Sequence, residues 1–269
     1  MRFKGRWIFA ILAISFAVVL TVRAEDFWIK KPWTQWSKDE CNKILQDSPW
    51  AKKWSKGEVH LTEAMPGESG ATAEGAGGEK SPEIHYIVEL RSALPIREAT
   101  VRLQQIGMKY DKMTDAQKKE FDAKAEEFLK RTYDDVILVH VDYGSNVQTF
   151  EREMATYWKN IREDAVPVDF YLINERGDRI SPAKFNSPRN GSYAFDLIFP
   201  RLKNNEPVIH EGDKSVSIQF VHPAVGTQTT ASGGDPTSTL DSSLTPFGRE
   251  RVLIQYKLDK MSAGGKLTY

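Results

Sequence analysis

The spacing of apolar positions changes twice along this chain, from an unbroken run to helical periods and then to alternation. Residues 7–22 carry no charged side chain at all. Further on, Ser37-Lys38-Asp39-Glu40 has the spacing of a capping box, with the serine closing one backbone N–H and the glutamate reaching back to another. It predicts a helix with Cys41, Ile44 and Leu45 on one face. Asp47-Ser48-Pro49 ends that helix and predicts a second one, capped by Ser48 with Pro49 in the first turn, carrying Trp50 and Trp54 one turn apart. Ile84, Tyr86, Val88 and Leu90 alternate with His85, Glu89 and Arg91, which predicts a half-buried strand with Ile87 as its one lapse. Pro95 opens a helix with Ile96, Ala99, Leu103 and Ile106 on one face. A second capping box, Thr114 to Gln117, leads a charged helix whose stripe is Phe121, Ala125, Phe128 and Leu129. Residues 136–141 are nearly all apolar and predict a central strand; Phe150, Met154, Tyr157, Trp158 and Ile161 predict another helix.

From Val168 the period is two. Phe170 and Leu172 alternate with Asp169, Tyr171 and Ile173, and Asn174-Glu175-Arg176-Gly177 has the residues of a hairpin turn. Three more alternating segments follow: Tyr193, Phe195, Leu197 and Phe199; Val216, Ile218 and Phe220; Val252, Ile254, Tyr256 and Leu258. Short alternating strands with turns between them predict an antiparallel sandwich. The fold class expected is therefore α+β, an antiparallel β-sandwich-like core with helical insertions and a short tryptophan-rich helical module before it. The expected boundaries are 1–24 for a signal peptide, 25–61 for the tryptophan module, 62–82 for a linker, 83–259 for the main domain and 260–269 for a polar tail. The linker is dominated by Gly, Ala, Glu and Ser and cannot bury enough surface to offset its ordering entropy, so it is expected to be disordered. Residues 226–248, rich in Ser and Thr, are expected to form a long mobile loop.

Charge bears on the first segment. Residues 1–6 hold three basic residues, the uncharged run follows, and Val22-Arg23-Ala24 ends on a small residue before Glu25-Asp26. These are the three parts of a secretory signal peptide, and the run is shorter than the roughly 20 residues a spanning helix needs. A periplasmic or secreted protein is expected, with an uncleaved anchor as the alternative. The whole chain has 37 basic and 37 acidic residues, and the signal takes four basic ones with it, leaving the remainder four units negative. That argues against nucleic acid as partner, and against a membrane unless the signal helix is retained.

Five of the seven tryptophans fall within 27 residues. Trp33, Trp36, Trp50 and Trp54 are candidate ligand-binding residues, an aromatic face for a glycan, a peptide or another envelope protein. The competing explanation is that these rings dock a segment too small for a core of its own onto the main domain. The stretch from Lys31 to Ser37 (KPWTQWS), followed by Asp47-Ser48-Pro49-Trp50-Ala51, resembles the opening of a group of uncharacterised exported bacterial proteins with a tryptophan-rich N-terminal module. The resemblance implies export and no particular activity. The single cysteine, Cys41, cannot form an internal disulfide and is expected to be a small buried residue.

Catalytic and metal motifs are missing. The five histidines show no zinc spacing, there is no Gly-x-Ser-x-Gly elbow, and the glycines at 75, 77 and 78 follow no strand. Asp134-Asp135 has the look of solvated charge at a strand start, and Arg176-Gly177-Asp178 that of a hairpin turn. His140 and Asp142 share one face of a strand. No catalytic residue, metal or cofactor is assigned. The expected function is non-enzymatic binding or envelope assembly. Two alternatives stand: a hydrolase with an unfamiliar site, which a pocket joining His140 to two more polar groups would favour, and a membrane-tethered envelope protein.

Overall fold

The computed structural model describes residues 26–57, 82–162, 164–189, 191–226, 247–263 and 266–269. The expected signal peptide, most of the expected linker and most of the 226–248 loop lie outside the described residues. In chain order the first strands are β1 (Ala51–Gly57), β2 (Glu83–Leu90), β3 (Val136–Ser145), β4 (Tyr171–Asn174), β5 (Arg179–Ile180) and β6 (Lys184–Asn186). Then come β7 (Ala194–Pro200), β8 (Leu202–Lys203), β9 (Glu206–Pro207), β10 (Ser215–His222), β11 (Glu250–Lys257), β12 (Ser262–Ala263) and β13 (Lys266–Leu267). The helices are α1 (Phe27–Lys30), α2 (Lys38–Gln46), α3 (Leu94–Gly107), α4 (Asp115–Lys130), α5 (Gln148–Lys159) and α6 (Val166–Asp169).

Two antiparallel sheets build the core, as the alternation predicts. One has the order β1-β2-β3-β7-β6 and the other β11-β10-β4-β5. Their inner faces meet. Tyr86 lies edge-on to Phe220 with ring centroids 4.9 Å apart, and the Tyr256 hydroxyl donates to the Val88 carbonyl across the gap at 2.8 Å. Helix α5 adds Phe150, Met154 and Trp158, one stripe at four-residue spacing, and all three are buried. Trp158 touches Phe195 of the first sheet at 4.7 Å and Phe220 of the second at 6.1 Å. Burying each such ring contributes about 1.5–3 kcal/mol. Among the described residues, no helix is long and apolar enough to cross a membrane.

On the outer face of the first sheet lie α2 and α3. Both predicted capping boxes form, at Ser37/Glu40 for α2 and Thr114/Gln117 for α4. Cys41 is buried on α2, where burial pushes its thiol up to about 11, so it packs as a small apolar residue. Helix α4 buries none of its side chains fully. It is tied down by Arg97 of α3, whose Nη1 donates to the carbonyls of Phe128, Leu129 and Arg131 at 3.0, 2.7 and 3.0 Å. These are the carbonyls a helix end leaves without partners.

Two expectations change. Trp50 and Trp54 do not share a helix: residues 51–57 form β1, paired with β2 from Ala51 opposite Glu89 to Gly57 opposite Glu83. A separation of four residues puts two side chains on the same side of a helix and also of a strand, so the spacing fits both. The partner strand decides between them. Ser48 still caps, but its Oγ accepts from the N–H groups of Trp50 and Ala51 to turn the chain into β1. Second, residues 166–169 form a helical turn instead of the start of a strand, and β4 begins at Tyr171. Within the polar tail, the Thr268 N–H donates to the Met261 carbonyl at 2.8 Å, closing the hairpin of β12 and β13.

Candidate functional site

The four candidate tryptophans do not come together as one open surface. Trp36 and Trp50 are sealed in the core, at 2 % and 0 % exposure. Trp36 donates its indole N–H to the Lys31 carbonyl at 3.0 Å, and Trp50 donates its own to the Thr268 carbonyl at 2.8 Å. Trp33 and Trp54 are half-buried and pack on the core; Trp54 lies 5.9 Å from Tyr86 and 6.4 Å from His222. Two of the four rings thus have no surface to offer a ligand, and packing accounts for them.

Polar chemistry gathers instead on the outer face of the first sheet. Alternation along β2 sends Ile84, Tyr86, Val88 and Leu90 inward, which turns Ile87 and Glu89 outward. Register then aligns the neighbours: Glu89 stands opposite His140, His140 opposite Asp196, and Asp196 opposite Asn186. Asp142 stands opposite Ile87. A polar row therefore crosses the middle of a sheet whose other face is the core.

His140 is the centre of this row. Its Nδ1 is 2.6 Å from Asp196 Oδ1 and its Nε2 is 3.4 Å from Asp142 Oδ1. Burial disfavours the charged ring, but the bonds to Asp142 and Asp196 outweigh it and hold His140 above its ordinary value. Asp196 responds in the opposite sense. Burial works to raise it, and the pairing with His140, with help from Arg91, brings it below the usual carboxylate range. His140 thus sits between two carboxylates that favour its charged form.

Glu89 differs from its neighbours. Its side chain is 6 % exposed, and its Oε2 has no hydrogen-bond partner among the described residues. Its nearest charged partner is Arg91, whose Nε lies 3.3 Å from Oε2, and His140 and Asp142 act on it from further off. Burial raises the Glu89 carboxyl, and Arg91 only partly offsets that. Burying a carboxylate without hydrogen bonds costs several kcal/mol, so this group is out of place as a structural element.

Glu89 also lines a cavity of about 370 Å³, between α2, α3 and the sheet. Its floor is Ile87, Glu89, Arg91 and Asp142; Leu45 and Leu103 face them from the helices. Asn42, Gln46 and Gln104 bring side-chain amides to the walls. The volume is at the lower end of small-molecule sites, about 300–1,000 Å³, and apolar walls with a few convergent polar groups are what such sites present. A larger cavity of about 690 Å³ lies between α3 and α4, lined by Met108, Met113, Phe121 and Phe128 among others. It is a cleft between partly exposed helix faces and carries no buried charge, so the smaller cavity has the chemistry.

A second polar cluster lies inside the sandwich. His222 is fully buried, and its Nδ1 is 2.8 Å from the Tyr86 hydroxyl. Burial, and secondarily Lys56, pushes His222 down to about 4, so it is neutral. Tyr143 and Trp158 add buried polar atoms without hydrogen bonds among the described residues. This cluster is sealed by the two sheets and α5 and belongs to the core.

Sequence reasoning reached His140 and Asp142 through their shared strand face. It missed Glu89, Arg91 and Asp196, which count in the alternation only as polar positions. The available signal was their place on strands that are apolar on the other face and followed by amphipathic helices: a sheet face that helices cover should not hold ionised groups. Among the described residues, no group of three or more His, Cys, Asp or Glu side chains is arranged to hold a metal ion. No family model, curated protein or solved structure matches this chain.

Proposed function

We propose that this is an exported, non-enzymatic binding protein that takes a small polar ligand into the cavity between α2, α3 and the first sheet. Glu89 carries this reading: a buried carboxylate lining a cavity, its Oε2 without a hydrogen bond among the described residues, gains from a ligand that brings an N–H or O–H donor to it. Export rests on the signal-like N-terminus. Cleavage is expected after Ala24, and the intact mass of the exported protein checks it; retention of Met1 would instead favour a membrane-tethered protein.

A hydrolase is the second reading, because His140 does converge with Asp142 and Asp196. His140 itself is poorly placed to act as a base. Both ring nitrogens face carboxylates, which occupy the positions a substrate proton would need and raise the ring above its ordinary value. A hydrolase at this site would have to use Glu89 as its acid, and turnover of the bound ligand would separate the two readings.

Glu89→Gln tests the binding role through stability. The sign follows from Glu89 being raised by burial. Above the unfolded value of 4.5 the unfolded state ionises freely while the folded state resists it, so the native carboxyl costs stability at neutral pH. The glutamine variant should be more stable than the wild type by about 0.5–2 kcal/mol near neutrality, and the gain should fade below that unfolded value. Arg91, partly exposed, can be hydrated once its partner is neutral. The same variant should lose ligand affinity. Urea melts at neutral and acid pH check the first part; a destabilised variant at neutral pH would mark Glu89 as a structural ion-pair partner.

A further inference from the structure

We infer that the ligand of this cavity is a free α-amino acid with an apolar side chain, bound through both of its charged groups. The inference rests on the binding role proposed for the cavity and names the chemistry it selects.

The floor sets opposite charges side by side. Glu89 lies near the end of β2 and Arg91 in the turn just after it, with Arg91 Nε 3.3 Å from Glu89 Oε2. Asp142 adds a second carboxylate from β3, and half of its side chain is exposed. Arg91 brings Nε nearest to Glu89, and about a third of its side chain is exposed, so the guanidinium can also be reached by a ligand carboxylate. Glu89 Oε2 lacks a donor, and an ammonium supplies several.

A ligand of one charge fits this floor badly. An anion paired with Arg91 lies against Glu89 and Asp142, and a cation paired with Glu89 lies against Arg91. A molecule with an ammonium and a carboxylate on one carbon satisfies both at once. The remaining surface then has a role. Leu45, Ile87 and Leu103 form an apolar strip for a side chain. A neutral sugar would hydrogen-bond to these groups but would not balance the buried charge on Glu89. A peptide N-terminus carries the ammonium without the adjacent carboxylate and would leave the Arg91 fork unpaired.

The test uses the mature chain with four probes: leucine, 3-methylbutylamine, 4-methylpentanoate and glucose. Calorimetry gives affinities, and the backbone amide signals of Ile87, Glu89 and Thr100, which also lines the cavity, report its occupancy. Leucine should bind at least tenfold more tightly than the amine, which lacks its carboxylate, or the acid, which lacks its ammonium. Arg91→Gln should erase the advantage over the amine, and Glu89→Gln the advantage over the acid. Circular dichroism confirms that both variants fold, and Arg91→Lys, which keeps the charge without the fork, replaces Arg91→Gln if that variant unfolds. Equal affinity for leucine and its two analogues would overturn the amino-acid assignment. Glucose shifting the three amide signals while leucine does not would also overturn it and leave the cavity a binding site. If no probe moves those signals at millimolar concentration, both the ligand class and the binding role of the cavity are wrong.

Discussion

Replacing Trp50 with alanine is expected to lower the stability of the mature protein by about 3–5 kcal/mol, the range for truncating a buried aromatic ring. Trp50 is fully buried and lies edge-on to Trp28 with ring centroids 5.8 Å apart. Its indole N–H satisfies the Thr268 carbonyl, and its own carbonyl accepts from the Leu90 N–H at 2.8 Å, beside the start of β1. The ring therefore joins the N-terminal segment to the last residues of the chain, beside a backbone bond to the end of β2. Truncation leaves a cavity and an unpaired carbonyl together. The loss is a large share of a typical stability of about 5–15 kcal/mol. Trp54 is only half-buried, so Trp54→Ala should cost about 1–2 kcal/mol on the same area scale. Parallel denaturant melts of the two variants check this order. A Trp50→Ala melt that coincides with the wild type would remove the docking role and return these rings to the list of candidate ligand contacts.

Acid should weaken the fold through His222. Burial holds this side chain at about 4 in the folded protein, against an ordinary value of 6.5. Above 6.5 the ring is neutral whether the chain is folded or not, and the stability it permits is fully present. As pH falls below that value the unfolded chain takes up a proton that the folded chain refuses, so stability declines until the folded ring titrates near 4. That gap corresponds to a loss on the order of 3 kcal/mol. The mechanism is local. Nδ1 pairs with the Tyr86 hydroxyl and Nε2 has no partner among the described residues, so a doubly protonated ring would carry a buried charge with an N–H that nothing receives. His222→Phe removes the titration. Its absolute stability should be lower, because Tyr86 loses its partner, but its decline over this pH window should be shallower than that of the wild type. Denaturant melts across the window decide it; parallel slopes in the two proteins would exclude His222 as the acid-sensitive group.

The candidate site was legible only in part. His140 and Asp142 are separated by two residues on an apolar strand, and period-two geometry alone puts them on one face. Asp196 and Glu89 come from two other strands and Arg91 from the turn after one of them, and nothing local ties them to His140. Register does: Glu89 opposite His140 and His140 opposite Asp196 are products of strand pairing between residues 51 and 56 apart. Whether a polar face is wet or covered depends on the position of α2 and α3, which no periodicity reports. Covering is what turns Glu89 from an ordinary strand carboxylate into a buried one.

The sequence by itself determined the class of the fold and most of its elements. Alternation in β2, β7, β10 and β11, the two capping boxes and the stripe of α5 are properties of consecutive residues, and each forms where its pattern lies. Only the tertiary structure decided the fate of the tryptophan segment and the position of the chemistry. Trp50 and Trp54 are four apart, a spacing on which helix and strand agree; pairing with β2 supplies the backbone partners that make the strand the lower in free energy. Glu89 is a common residue in a common pattern. It becomes a functional candidate because helices from two separate parts of the chain exclude water from its face of the sheet, and the cost of a buried charge is set by that exclusion and not by the residue's neighbours in sequence.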